Sequence, residues 1–496
     1  MTWVTAGEWK PDEAMFGVGT ISSLLNIYPN TNGYNPIPEF LPISTPIIED
    51  GEPAVVTGSK SFVLSDGHFI TVAGTDKNLY LLEQAEWTNI SKTGGYNGQG
   101  QPWQFAMYGD LVMATNYYDS VQCINIKSGE KQCSDLSETA PRATCIAVVN
   151  EFVVLGNTVD TYDNARPGRV WWGPIGNPKG EWTPNQTTMC DYQDQGQGAY
   201  VVNIVGGEDC KIFMRDAIIR MTFVGSPQVF QFDVIEPNRG CTGINALTSI
   251  GEIIFFLAPD GFFMMTGASL QQIGLNKVDN YVLKRFAGGL VSAAKCVADP
   301  RNKCVWWAIP KEDLTARGIL LNEILIFHYP SGKWGRAENN MTLLHEFYTK
   351  DYSLDELDQI NEILEDLPFP LDSVMYKGGS PVIGGFDKNG TLCYCYGKPM
   401  PAEFITGDIP LVDHQKRGWL NRLRMGVDGD NKHKIAVASK QVLSDAVSYV
   451  QTSEPTRIGD YAFRVPGRYH RIKFTLGGDW NNFTGFDVDV KEEGTQ

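Results

Sequence analysis

The sequence lacks the features that would place it in a membrane or outside the cell. It has no run of 18 apolar residues, so no transmembrane helix is expected. Its first positive charge is Lys10, and the opening residues contain no apolar stretch typical of a signal peptide, so secretion is not expected. Positive charge is scarce, because 41 basic side chains face 58 acidic ones and give a net charge of −17. Such a chain is unsuited to binding nucleic acid through its phosphates, although DNA could slide past it.

The motifs of common catalytic and metal sites are also missing. The sequence contains no G-x-x-x-x-G-K-[ST], H-E-x-x-H, G-x-S-x-G or EF-hand pattern, and its 6 histidines share no ligand spacing. The repeated S-x-D-x-G-x-x-W turns of sialidase-type propellers are absent as well. The glycine-rich stretch 93–101 does not open a helix, so we interpret it as a flexible loop and not as a phosphate site. We therefore expect no enzyme activity, no catalytic residue, no cofactor and no metal ion.

Cysteines are few and scattered, with 10 in 496 residues. Most lie in apolar segments with the composition of strands, as Cys145 and Cys304 do, and this position predicts buried and reduced thiols. Cys393 and Cys395 are separated by one residue and share one face of a strand. No second Cys or His pair follows at ligand spacing, so this pair does not predict a zinc site.

Short apolar stretches joined by tight turns dominate the first 340 residues. Hydrophobic residues make up 42%, aromatic residues 11% and charged residues only 20%, which suits strands better than solvated helices. The turns fall at Gly67, Gly109, Asn150, Gly207, Gly251 and Arg301. A unit that repeats every 40 to 50 residues or so is typical of a β-propeller blade, whose two faces are covered by neighbouring blades. We predict an all-β propeller of six or seven blades; two β-sandwiches in series are the alternative.

Three regions are predicted along the chain. Residues 1–45 form an extended N-terminal segment, whose Pro-rich part at 26–44 is a candidate for closing the propeller. Residues 46–409 form the propeller, with the text at 382–397 as its last blade. Residues 410–496 differ in composition and are predicted as a small C-terminal β-sandwich. The arginines of this last region either meet an acidic partner or face solvent: Arg417, Arg422, Arg424, Arg464, Arg468 and Arg471.

One helix is predicted outside the blade repeat, at 353–367 within the segment 350–370. Ser353 and Glu356 have the spacing of a capping box, and an apolar stripe begins at Leu354. Pro368 ends the pattern. We interpret the segment as a solvated helical insertion between blades; a docking surface for a neighbouring subunit is the alternative.

Two blocks of the sequence resemble a known family. The first, residues 207–274, contains FMRDAIIRMTFVGSPQVFQFDVIEPNRG, and the second, residues 465–494, reads VPGRYHRIKFTLGGDWNNFTGFDVDVKEEG. In this order they resemble the β-propeller tail hub or nozzle proteins of short-tailed bacteriophages, which are sometimes described as packaged-DNA stabilisation proteins. Residues 311–380 match nothing in that family that we can name.

The resemblance implies a structural protein of the virion tail, assembled in the host bacterial cytoplasm. Members of this family form a homo-oligomeric ring, commonly a hexamer, below the adaptor ring that follows the portal. The implied partners are further copies of the chain, the tail adaptor ring above, tail fibres or a tail needle or tip protein, and passing genomic DNA that is not specifically bound. Two other functions stay open: a receptor-binding, lectin-like propeller of the virion, and a tail-associated glycan hydrolase.

Overall fold

The computed structural model describes residues 2–285, 290–310, 320–349, 379–412, 416–429 and 432–493. Strands form nearly all of the regular structure in these ranges. Eight short strands precede the first repeat unit: β1 (Thr2–Thr5), β2 (Glu8–Trp9), β3 (Thr20–Leu25), β4 (Ile27–Pro29), β5 (Tyr34–Pro36), β6 (Pro38–Pro42), β7 (Ile48–Glu49) and β8 (Glu52–Pro53).

Five four-stranded antiparallel sheets follow, each with its strands in sequence order. The first two contain β9 (Gly58–Val63), β10 (Phe69–Gly74), β11 (Leu79–Glu83) and β12 (Glu86–Asn89), then β13 (Gln104–Tyr108), β14 (Leu111–Thr115), β15 (Gln122–Asn125) and β16 (Ser134–Asp135). The third contains β17 (Arg142–Val149), β18 (Phe152–Asp160), β19 (Asn164–Trp172) and β20 (Asp191–Asp194). The last two contain β21 (Val201–Val205), β22 (Cys210–Met214), β23 (Ile218–Gly225) and β24 (Val229–Glu236), then β25 (Leu247–Ile250), β26 (Ile253–Ala258), β27 (Gly261–Thr266) and β28 (Ser269–Gln272).

Two more sheets complete the propeller and share one long strand. The next elements are α1 (Asp279–Arg285), β29 (Lys295–Asp299), β30 (Cys304–Ile309), β31 (Leu321–His328), β32 (Lys333–Tyr348), β33 (Pro381–Asp387) and β34 (Leu392–Pro399), with 3-10 helices at Ile126–Ser128 and Leu290–Ala293. The first half of β32 is the outermost strand of blade 6, and its second half pairs with β33 as the innermost strand of blade 7.

The fold is therefore a β-propeller, with seven blades. The N-terminal strand β6 pairs with β34 and supplies the outermost strand of blade 7. This pairing joins the two ends of the propeller, because β6 precedes blade 1 in the chain. The turns that define the predicted repeat lie between the first and second strands of blades 1 to 6: Gly67, Gly109, Asn150, Gly207, Gly251 and Arg301.

The propeller core consists of apolar layers between adjacent blades, and the largest cluster is continuous from blades 4, 5 and 6 into the sandwich. One layer joins blades 1 and 2 and includes Trp103 and Val72, and another joins blades 3 and 4 and includes Phe152 and Ile212. Each blade has two faces to cover, which explains the many large side chains with almost no exposed surface. The buried tryptophans include Trp103, Trp171, Trp182, Trp306, Trp307 and Trp334.

The sandwich is built from both ends of the chain. Its remaining strands are β35 (Ala402–Thr406), β36 (Arg417–Gly429), β37 (Lys434–Lys440), β38 (Tyr449–Ser453), β39 (Asp460–Gly467), β40 (Tyr469–Leu476) and β41 (Trp480–Glu493). One sheet has the order β2-β3-β35-β40-β37-β38, and the facing one combines β1 and β5 with β41, β36 and β39. The strand pairing thus differs from the predicted boundary at 410, since β35 and most of residues 2–36 belong to the sandwich.

N-terminal residues also fix the sandwich to the propeller. The Asp12 carboxylate accepts hydrogen bonds from the backbone nitrogens of Asn280 (2.8 Å) and Tyr281 (2.7 Å) in the first turn of α1. Arg336 of β32 donates from Nη1 to the Leu24 carbonyl at 3.0 Å and pairs with Glu323. Strand β4 also pairs with β32, so the sheet of blade 6 continues into the sandwich.

The predicted helix at 353–367 lies outside the described residues. Its segment falls between β32 and β33, the first two strands of blade 7. On either side of the segment the chain ends are adjacent, because Thr349 N donates to Ser380 O (3.0 Å) and Gly379 N donates to Thr349 O (2.9 Å).

Candidate functional site

A channel runs along the centre of the propeller and encloses a cavity of about 630 Å³. All seven blades line it through their innermost strands: β9, β13, β17, β21, β25, β29 and the second half of β32. The innermost strand of a blade has one edge without a sheet partner. The backbone N–H and C=O groups of this edge need polar side chains or water in the channel as hydrogen-bond partners. The cavity is therefore a concave site to which all seven blades contribute, and binding sites are usually concave.

Amide side chains link blades across and around the channel. Gln104 of blade 2 donates from Nε2 to Asn245 Oδ1 at 2.7 Å, and Asn245 lies two residues before the innermost strand of blade 5. Asn203 of blade 4 donates to the Ile244 carbonyl, and the Asn245 carbonyl accepts from Cys296 N at 2.7 Å. These bonds hold the amide groups beside the channel and place Asn245 next to the first residues of β29.

Three charged side chains face the same cavity from consecutive blades. They are Lys295 of blade 6, Glu346 of blade 7 and Lys60 of blade 1. Water reaches Lys60 along the channel, but protein surrounds it, and this desolvation lowers its pKa, while the Glu346 carboxylate acts in the opposite direction. Burial lowers the pKa of Lys295 to about 8. The pKa of Glu346 is raised by burial, against the attraction of Lys60.

His345, the neighbour of Glu346, lies between blades 7 and 1. Its Nε2 is 3.1 Å from Ser61 Oγ, which is in turn 2.8 Å from Thr71 Oγ1. Burial lowers the pKa of His345 to about 3, so the ring is neutral at physiological pH. A neutral histidine held by a hydroxyl contributes hydrogen bonds to the blade contact and no charge to the channel.

The arginines predicted for the C-terminal region divide into two groups. Asp460 pairs with Arg422 (3.1 Å) and Arg424 (2.7 Å), and Asp408 pairs with Arg471 (2.9 Å). These three arginines therefore form ion pairs within the sandwich. The others are exposed, and none of them forms an ion pair with the residues that the structure describes: Arg417, Arg464 and Arg468.

The cysteines and the glycine-rich stretch have structural roles. All 10 cysteines are free and nine are buried, which confirms the predicted burial of the thiols; Cys296, beside the channel, is half-buried. Within the described ranges, no group of three or more His, Cys, Asp or Glu side chains could hold a metal ion. The loop 93–101 is anchored by Tyr96, whose ring lies 5.0 Å from that of Trp103 and whose backbone nitrogen donates to Lys77 O. It is thus better anchored than the flexible loop we expected.

Sequence reasoning did not single out the charged channel residues. Lys60 and Lys295 each precede one of the hairpin turns that define the blade period, in otherwise apolar or small-residue text. A polar residue at this place in the repeat unit belongs to the innermost strand. That position in the repeat could have identified the channel residues. It could be used only with the knowledge that the first strand of each blade lines the channel.

No protein-family model matches the chain, and a comparison with curated proteins finds no match. Solved structures are similar at low identity. The computationally designed Ika8 protein is 12% identical, with 79% of this chain and 100% of that chain covered and a TM-score of 0.39. BamB from Moraxella catarrhalis is 10% identical, with 76% and 96% covered and a TM-score of 0.37. YCF48 from Cyanidioschyzon merolae is 10% identical, with 73% and 98% covered and a TM-score of 0.39. These similarities carry no argument about function.

No helix among the described residues is long and apolar enough to cross a membrane.

Proposed function

We propose that the chain is a structural subunit of a bacteriophage tail, a nozzle or hub ring that forms part of the DNA ejection channel below the portal and adaptor. In this proposal the protein is not an enzyme. The observation that carries it is the pair of sequence blocks, 207–274 and 465–494, that resemble this family in the same order.

The positions of the two blocks in the fold support the proposal. The first block spans β22 to β28, which is most of blade 4 and all of blade 5. The second block spans the end of β39, all of β40 and β41, which contribute to both sheets of the sandwich. The resemblance therefore covers the propeller and the sandwich separately, and it is not confined to one recurring hairpin.

Charge supplies a second line of support. Six chains at −17 each would carry a formal charge of −102. An acidic lumen repels phosphates and allows DNA to leave without being held. A ring of identical subunits needs two different surfaces that complement each other. The exposed Arg417, Arg464 and Arg468 provide a basic surface on the sandwich, suited to an acidic surface of the next copy or of the adaptor.

The test is the copy number in purified particles, together with the mass of the isolated protein. We expect six copies per virion and an assembled ring of about 330 kDa, six times 55.0 kDa. Arg417→Glu combined with Arg468→Glu should weaken assembly, whereas Lys388→Glu, an exposed residue of a blade 7 turn, should not. A copy number that is a multiple of three per fibre would favour the receptor-binding alternative. Release of reducing sugar from host polysaccharide would favour the hydrolase.

A further inference from the structure

The polar centre of the propeller channel has no part in the proposed ring, and it contains an unusual combination of charges. Lys295 forms no hydrogen bond or ion pair with the described residues. Among the described residues, Lys60 donates one long hydrogen bond, at 3.4 Å to the Phe105 carbonyl, and its ammonium group lies 5.6 Å from the centre of the Phe62 ring. Among the described residues that line the cavity, Glu346 is the single acid; it lies on the blade between the blades of these two lysines and attracts Lys60.

The charges of this cavity do not balance. Among the described residues, its titratable lining groups are Lys60, Lys295, Glu346, the neutral His345, Cys296 and Tyr348. With both lysines protonated the lining therefore carries one net positive charge, in a chain whose total charge is −17. A partly desolvated cation without a counter-ion is costly, and an anion placed beside it removes this cost.

A neutral donor lies close to Lys295. Asn245 uses its Oδ1 to accept from Gln104, and no described residue accepts from its Nδ2. Because Cys296 N donates to the Asn245 carbonyl, Asn245 is adjacent to the start of β29, where Lys295 stands. An oxyanion has several acceptor oxygens and can satisfy an amide and two ammonium groups together.

We propose that the central channel binds a small oxyanion of the phosphate type between Lys60 and Lys295. The cavity of about 630 Å³ has room for such an ion with its water, and it has no room for a folded partner. Bound there, the anion links blades 6 and 1, which stand on either side of the blade closed by the N-terminal strand β6. The proposal does not depend on the tail function.

The direct test is isothermal titration of the full chain with inorganic phosphate at low ionic strength. We expect one site per chain with a Kd of about 1 mM or lower. Lys295→Met should weaken binding about tenfold or more, and Lys60→Met should weaken it similarly, because each removes a charged donor. Lys388→Met, which removes an exposed lysine, should leave the Kd unchanged. Far-UV circular dichroism verifies that each variant is folded.

A second readout uses the pH dependence and chemical reactivity of Lys295. Since its pKa is about 8, the affinity for sulfate, whose own charge is constant over this range, should fall as pH rises from about 7 to about 9, and this fall should be smaller in Lys295→Met. Phosphate should also protect Lys295, and not Lys388, from acetylation as mapped by mass spectrometry. The absence of saturable binding, or equal affinity in a folded Lys60→Met/Lys295→Met variant, would overturn the proposal.

Discussion

Arg169 is a buried cation that three carboxylates surround. Its guanidinium contacts Asp194 (2.6 Å), Asp160 (2.9 Å) and Asp163 (2.8 Å) and lies 4.0 Å from the centre of the Tyr192 ring. Hydrogen bonds, that to Asp194 above all, raise the pKa of Arg169 further above its ordinary value. The residue joins the outer three strands of blade 3, because Asp160 ends β18 and Asp194 ends β20.

Arg169→Met should destabilise the protein strongly. It leaves the Asp160 carboxylate, which is only 3% exposed, without its cation, and breaking a buried pair in this way costs ~3–5 kcal/mol. Arg166→Met is the matched control, since Arg166 is 48% exposed and its contact with Asp163 is longer, 3.4 Å; its cost should be ~0–1 kcal/mol. Urea unfolding followed by tryptophan fluorescence measures both. Equal midpoints for the two variants would contradict this account.

Asp279 is a buried acid at the start of α1. Its carboxylate accepts hydrogen bonds from Phe262 N (3.0 Å) and Gln272 Nε2 (2.8 Å). Only glycine fits at position 274, because a Cβ there would lie 1.9 Å from Asp279 Oδ1. Burial is the largest influence on this group and raises the pKa of Asp279 to about 6, above its ordinary value of 3.8.

The protein should therefore lose stability through Asp279 as pH rises from about 4 to about 6. Below this range both the folded and the unfolded chain hold the proton, and above it neither does; within it the folded chain holds more. At ~1.4 kcal/mol per pH unit, the loss reaches up to ~3 kcal/mol. Asp279→Asn should remove this loss, while the exposed control Asp216→Asn should retain it. Unfolding midpoints at pH 4, 5, 6 and 7 test this; parallel curves for Asp279→Asn and the unmodified chain would contradict it.

At the scale of elements, the sequence was informative wherever strand pairing is local. Gly67 and Gly109 mark tight turns whose flanking strands pair directly, so the blade repeat could be predicted from the amino-acid sequence alone. The count of six or seven stayed open because blade 7 has no such turn: residues 349–380 separate its first two strands. Its fourth strand, β6, lies more than 300 residues away, and local periodicity holds no information about that partner.

The sandwich shows the same limit. Alternating burial in β40 was predictable, since its residues alternate between half-buried and buried. Its partner β35 precedes the predicted boundary at residue 410. The next strand of the sheet, β3, comes from the N-terminal part of the chain. Phe404 and Phe474 meet in the core at 6.0 Å between ring centres. The propeller channel could not be predicted for the same reason, because Lys60, Lys295 and Glu346 come together only through ring closure.

The segment between β32 and β33 should be dispensable for the fold of blade 7. Thr349 hydrogen-bonds to Gly379 and Ser380, and Tyr348 pairs with Pro381, so the two strands already meet where the segment begins and ends. Replacing 350–378 with a short Gly-Ser linker should leave the thermal unfolding midpoint unchanged. If the segment is a solvated insertion, the mass of the assembled ring should also be unchanged. A loss of assembly in a folded variant would instead support the docking role.

At the scale of the whole molecule, the propeller channel is too narrow to be the DNA path of the proposed ring. A cavity of about 630 Å³, crossed by the hydrogen bond between Gln104 and Asn245, cannot admit a duplex. In the proposed ring the genome would pass through the central lumen that the subunits enclose, along their acidic outer surfaces. The positive charges of Lys60 and Lys295 are then hidden from it.

The isolated protein should consequently show no measurable affinity for duplex DNA at physiological salt. The expectation rests on the proposed function and on the net charge of −17. Each phosphate contact releases counter-ions and stabilises the complex, and a channel that releases a genome quickly would have to lose that free energy repeatedly. Arg417, Arg464 and Arg468 should face a protein neighbour or solvent. Fluorescence anisotropy with labelled duplex over a range of salt concentrations measures this, with a basic DNA-binding protein as positive control. Micromolar binding at about 150 mM salt, with affinity falling steeply as salt rises, would favour a protein that holds DNA through those arginines.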